Sequence, residues 1–271
     1  MDDQGYQDVG VFGSKTIKTP NLDNMAKGGM KFTDFYSLAA VCSPSRAGLM
    51  TGCYPPRVGI TKVLFPRDKI GLNPNETTIA EVLKTRNYST AAIGKWHIGH
   101  LPQFLPTNHG FDSYYGIPYS NDMDGIKGKN RNLDRAWIER DISPWNVPLL
   151  RNTKEIERPV DQNNITKRYT LEAQKFIKKN KNKPFFLYLP HSMPHIPLFV
   201  SDEFYSNNPK EAYIRTIQEI DHSVGQILET IKEEGIDNNT LVIFTSDNGP
   251  WHLKLRHHGG SALPLRGAKF S

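Results

Sequence analysis

The sequence is poor in cysteine and has no long apolar run. Two cysteines, Cys42 and Cys53, do not make a disulfide framework, and a bridge between them would leave Cys42 unavailable for chemistry. No stretch approaches the roughly 18 apolar residues that a membrane-spanning helix needs. A mean hydropathy of −0.54 with 37% hydrophobic residues fits a globular chain instead, and 271 residues can bury a substantial core. Internal repeats and low-complexity tracts are absent as well. So is a basic-then-apolar leader, since the chain opens Met1-Asp2-Asp3-Gln4. That absence carries little weight. The chain starts on a polar pair with no strand before it and stops at Phe270-Ser271 without a closing element, so it is expected to be a fragment truncated at both ends.

An acidic excess is lacking too: the net charge is +6 and the pI about 9.1, which raises nucleic acid as a partner. The only dense basic run, Lys175 to Lys183, lies at the end of an expected helix, where cations suit the dipole and the solvent. No aromatic ladder accompanies it, so no nucleic-acid partner is expected. A mildly basic surface would attract sulfated polyanions, which is weak support for such substrates.

What is present is an alternation of helices and apolar strands. Thr19 reads as an N-cap with Pro20 as first helical residue, and 30–36 as a strand. Residues 75–84 read as a helix with Ile79, Val82 and Leu83 on its apolar face, and 88–93 as a strand. Residues 101–159 look largely irregular, an excursion lining a site. Helices are expected over 164–179 and 212–231, and buried parallel strands over 184–189 and 241–245. The expectation is an α/β fold, a mostly parallel central sheet with helices on both faces.

The chain is organised around the stretch from Val41 to Gly52. A proline two residues after Cys42 is tolerated in a first helical turn, so Cys42 stands at a helix N-terminus, where negative charge is favoured. Arg46, one turn on, adds a positive charge on the same face. A buried structural cysteine is the plainer reading of these residues alone. The whole run, Cys-x-Pro-x-Arg followed by Ala-Gly-Leu-Met-Thr-Gly, resembles the sulfatase signature. In that family the cysteine is oxidised to formylglycine, an aldehyde whose hydrate is the nucleophile, by a formylglycine-generating enzyme.

Four polar clusters stand where ligands bind in open α/β sheets, by the strand ends. Asp2-Asp3 and Asp247-Asn248 are an all-oxygen set suited to Ca²⁺ or Mg²⁺, although a solvated pair and a turn are the plainer readings. The resemblance implies that Asp2, Asp3, Asp247 and Asn248 are metal ligands, completed by the residue at Cys42, and the family favours calcium. Gly94 to Gly99 is similar to the family motif in which Lys95 contacts the sulfate and His97 handles the nucleophile's protons. His195, in Pro-His-x-Pro-Leu, matches the histidine that binds sulfate and serves the leaving group; His191 reads as structural. Lys269 resembles the second sulfate-binding lysine. Gly116 to Ser120 looks like an arylsulfatase A stretch ending in an active-site serine, although Asn121 replaces the histidine expected next.

The resemblance spans Asp2 to Lys269 and implies one sulfatase catalytic domain over 1–271 that hydrolyses sulfate monoesters. In it Arg46, Lys95 and Lys269 would neutralise the ester and His195 would protonate the departing alcohol. It also implies a periplasmic, secreted or lysosomal setting and a sulfated small molecule or glycan as substrate. A phosphonate or phosphate-ester hydrolase of the same superfamily and an inactive anion-binding module are the alternatives.

Overall fold

The computed structural model describes residues 1–252 and 256–271. Five strands form one mixed sheet: β1 (Ser89–Ile93), β2 (Ser113–Gly116), β3 (Leu149–Arg151), β4 (Lys154–Glu157) and β5 (Phe185–Tyr188), in the order β4-β3-β2-β1-β5. The central strand β1 runs parallel to both β2 and β5, whereas β2–β3 and β3–β4 are antiparallel.

Strand β1 is covered on both sides. Ala91 and Ile93 join the larger core, with helices α5 (Ile165–Asn180) and α6 (Ala212–Glu233). Ala92 faces the smaller core, with Ala47 and Met50 of α2 (Cys42–Thr51), Ala80 of α3 (Ile79–Lys84) and Trp96. Alternating side chains thus serve two layers, and Ala91, Ala92 and Ile93 are apolar in succession because both faces are covered. Helix α1 (Pro20–Lys27) packs on α6, and the carboxylate of Asp221 accepts from the backbone N–H of Asn21 and Leu22. Helix α3 is fixed by a reciprocal box in which Thr78 accepts from Glu81 N–H and Glu81 from Thr78 N–H.

Several sequence expectations need correction. Residues 30–36 are not a strand: Met30, Phe32, Phe35 and Tyr36 all point into solvent, so the segment has no face to bury against a sheet. The 101–159 excursion is largely irregular as expected, but it also supplies three short strands, β2, β3 and β4, and helix α4 (Leu133–Glu139). Its strands are three or four residues long, too short to print a period on the sequence. Residues 241–245 form no ladder. Leu241 and Ile243 are 84% and 75% exposed, while Val242 and Phe244 rest on the core, so this run is covered on one side only. Helix α3 starts at Ile79 rather than in the polar residues before it, and buries Ala80 while Ile79 and Val82 stay exposed.

Candidate active site

Helix α2 begins at Cys42. Val41, extended at φ −144°, is its N-cap, and Gly52 closes it in the left-handed region at φ 67°. Pro44 falls in the first turn, where its missing N–H removes only a donor that the helix leaves unpaired. Cys42, Arg46 and most of the helix between are buried. Burial pushes the Cys42 thiol up to about 11, partly opposed by the positive charge of Lys95; Asp2, Lys269 and Asp247 also act on it.

Backbone pairing beyond the strand ends gathers the loops around this helix. Gly94 N–H donates to Tyr115 O, Lys95 N–H to Pro190 O and Trp96 N–H to Ile117 O, which ties the ends of β1, β2 and β5 together. Gly94 is required here: at φ 135°, a Cβ would stand 2.1 Å from the Pro190 carbonyl oxygen. On the other side, the Met1 amino group donates to Thr245 O and Asp247 N–H donates to Met1 O, so residues 1–3 lie beside 245–247. Asp3 and His97 hold left-handed backbone at φ 63° and 62°. Such strain gathers at ligand sites.

The side chains form one buried charged network. Arg46 donates to Asp247 Oδ2 and, through Nη1, to Lys95 O at 2.6 Å. The Lys95 ammonium donates to Asp2 and to Ser120 Oγ, the latter at 3.0 Å. Lys269 Nζ donates to Asp3 Oδ2 at 2.8 Å, and Asn248 Nδ2 to Asp3 Oδ1 at 2.7 Å. His195 Nε2 stands 3.6 Å from Asp3 Oδ2 and 3.4 Å from Ser120 Oγ. Its Nδ1 lies 2.6 Å from the carbonyl oxygen of its neighbour Ile196, which assigns the ring proton to Nδ1 and turns Nε2 into the site.

The structure therefore brings together Asp2, Asp3, Cys42, Arg46, Lys95, Ser120, His195, Asp247, Asn248 and Lys269. His97 belongs to the same surroundings, but its left-handed backbone breaks the extended geometry that would align it with Lys95. Its Nε2 is bound to Leu64 O at 2.9 Å, while Nδ1 is buried without a partner among the described residues.

Charge organises this network. Burial raises every carboxylate's pKa, but at Asp2 the charges of Lys95, Arg46 and Lys269 outweigh it and hold that carboxyl well below the usual range. Asp3 is pushed up to about 7 by burial and by the negative charge of Asp2. Asp247 is raised for the same two reasons. Three carboxylates crowded this way call for a cation. Two oxygens directed into the cluster, Asp2 Oδ1 and Asn248 Oδ1, are buried and find no donor among the described residues. Orphaned acceptors in an all-oxygen set fit a hard divalent ion.

Two neighbours, Trp251 and Asp122, were not marked by any motif, and Asn121 was marked only as a departure from one. Trp251 lies against His195, ring centroids 5.3 Å apart, and Lys269 Nζ stands 4.4 Å from the centre of its ring. Asn121 donates to the carbonyl oxygens of His195 and Pro197 and to Gln162 Oε1, so it fixes the His195 loop. Asp122 is a further carboxylate, raised by burial and opposed by Lys95.

The sulfatase family model matches residues 1–270. The chain belongs to the sulfatase family. It is 38% identical over 280 residues to arylsulfatase G of Rattus norvegicus, covering 98% of this chain and 53% of that protein. It is 39% identical over 277 residues to N-acetylgalactosamine-6-sulfatase of Mus musculus, with 98% and 52% covered. Among solved structures it is similar to Ps i-CgsB in complex with k-i-k-neocarrahexaose, at TM-score 0.81 and 36% identity, covering 99% of this chain and 60% of that one. The chain thus spans about half the length of the curated sulfatases it matches. Among its described residues no helix is long and apolar enough to cross a membrane.

Proposed function

We propose that residues 1–271 are part of a larger sulfatase catalytic domain that hydrolyses sulfate monoesters. The observation that carries this reading is a charge balance. Asp2, Asp3 and Asp247 face Arg46, Lys95 and Lys269, and with all six ionised their charges cancel. A bound divalent cation leaves it positive, which is the field a sulfate ester anion needs.

Asp2, Asp3, Asp247 and Asn248 would hold the ion, an oxygen set that suits Ca²⁺ or Mg²⁺, with Ca²⁺ the choice that the family resemblance favours. When bound, such an ion supplies Lewis acidity and positive charge at the ester. Formylglycine made from Cys42 by a modifying enzyme supplies the nucleophilic hydroxyl. The rest falls to this chain. Lys95 and Lys269 bind the sulfate oxygens and hold developing charge, with Ser120 as a further donor. Arg46 fixes Asp247 and the Lys95 backbone rather than meeting substrate directly. His195 presents Nε2 to the bridging oxygen, and only its imidazolium form, with a proton on Nε2 as well as Nδ1, can protonate the departing alcohol. His97 is anchored through Nε2, so Nδ1 is the atom able to take a proton near position 42.

The substrate class we infer is a sulfated glycan, by likeness to the structure that holds k-i-k-neocarrahexaose. The test is to produce the chain with a formylglycine-generating enzyme, confirm loss of the Cys42 thiol by peptide mass, and compare sulfate and phosphate esters of one aryl alcohol. Faster cleavage of the sulfate, abolished by chelator, supports the reading. Preference for the phosphate, or no turnover with position 42 converted and calcium present, overturns it.

A further inference from the structure

A second convergence of ligand-type side chains lies outside this network. His257 and His258, consecutive residues in a 3-10 turn (Arg256–His258), both aim Nε2 at one oxygen of Asp134 in α4, at 2.6 and 2.8 Å. The three donor atoms come from segments more than 120 residues apart in sequence, as the separations of 123 and 124 show. Asp134 and His257 are half-buried, and the His258 side chain is fully buried.

This is an unusual way to use two imidazoles. Neighbouring residues on a chain normally point apart, yet here both rings converge, centroids 4.7 Å apart. His258 commits all its polar capacity through Nε2, for its Nδ1 is buried and has no partner among the described residues. Burial lowers the His258 pKa, which favours the neutral ring that can offer a lone pair. Holding both N–H groups on one carboxylate oxygen is what these atoms do without an ion.

We propose that Asp134, His257 and His258 form a three-ligand site for a borderline divalent transition metal, Zn²⁺ or Co²⁺, separate from the calcium-type cluster. Two imidazole nitrogens and one carboxylate oxygen match the donor preference of such ions, whereas the all-oxygen set at Asp2 and Asp247 does not. Bonds of about 2.0–2.1 Å in a tetrahedron put donor atoms roughly 3.3 Å apart, so the two N···O edges need to open by only about 0.5–0.7 Å. The open side of Asp134 and His257 leaves the remaining position to water or to an incoming donor. An ion there would clamp α4 onto the loop that leads to Lys269, with no role in the ester chemistry assigned to it.

The test uses tag-free protein preloaded with calcium and titrated with Co²⁺ and Zn²⁺. A visible Co²⁺ spectrum of tetrahedral type at one equivalent, displaced by Zn²⁺ and lost in both His257→Gln and Asp134→Asn, is the expected result. His257→Gln changes a partly exposed side chain and Asp134→Asn keeps an acceptor, so native circular dichroism and thermal midpoints verify folding in each. No binding at tenfold excess of metal, or binding that survives either substitution in folded protein, overturns the site and leaves a hydrogen-bonded triad. Because the readout is metal binding, loss of esterase activity plays no part in it.

Discussion

Arg46 and Asp247 make a two-pronged pair, with Nε and Nη2 each 2.9 Å from Oδ2, and both side chains are buried. Helix α2, which begins at Cys42, is thereby bolted to the loop that carries Asp247 and Asn248. Breaking one side of a buried pair leaves an uncompensated charge, at a cost of about 3–5 kcal/mol. Arg46→Met is expected to lower the unfolding free energy by that amount, read as a lower urea midpoint at unchanged slope. A loss under about 1 kcal/mol by the same measurement would show that water reaches Asp247.

Calcium should stabilise the fold as well as the reaction. Ligand at a hundred times its Kd adds about 2.7 kcal/mol when only the native state binds it. Thermal midpoints should therefore rise with calcium concentration, and Asp2→Asn should blunt the rise by removing an orphaned ligand oxygen. A midpoint that ignores calcium in the unsubstituted protein would count against the metal assignment.

Trp251 packs against both His195 and Lys269, so its removal should loosen two groups at once. Displacing reacting groups by about 1 Å can cost on the order of 100-fold. Trp251→Leu is expected to reduce kcat by about 10–100-fold with a smaller change in KM. A KM effect alone would make Trp251 a wall of the substrate pocket instead.

The polar loops were legible in the sequence because each stands by a segment whose apolar content marks it: 94–99 after β1 and the His195 loop after β5. What escaped had no local signature. Asn121 acts through three acceptors scattered from Gln162 to Pro197, and Trp251 through contacts with residues 56 and 18 positions away, as their numbers give. The β3–β4 hairpin was hidden in its brevity, although Asn152, at φ 56°, is the kind of residue that accepts a tight turn. The run 241–245 misled for another reason. Continuous apolar residues look alike whether covered on two faces or one.

Stability should depend on pH through His191. Burial, and secondarily the charge of the chain's amino group, lower its pKa from 6.5 to about 3. The unfolded chain then binds a proton that the fold refuses, so stability is complete above pH 6.5 and falls as pH drops toward 3. His191→Gln should flatten that slope in urea unfolding. Glu219 runs the other way: burial raises it from 4.5 to about 7, so its contribution is full below 4.5 and fades as pH rises through 7. Glu219→Gln should remove that second decline, and unchanged pH profiles in both variants would refute the assignments.

The contact between Asp3 and Lys269 joins positions 266 apart, and Met1 meets Thr245 across 244. Neither Asp3 nor Lys269 has its partner nearby in sequence, so the pair closes a loop of that span, and any cut or local unfolding that parts the two segments strands a buried charge without its counter-charge.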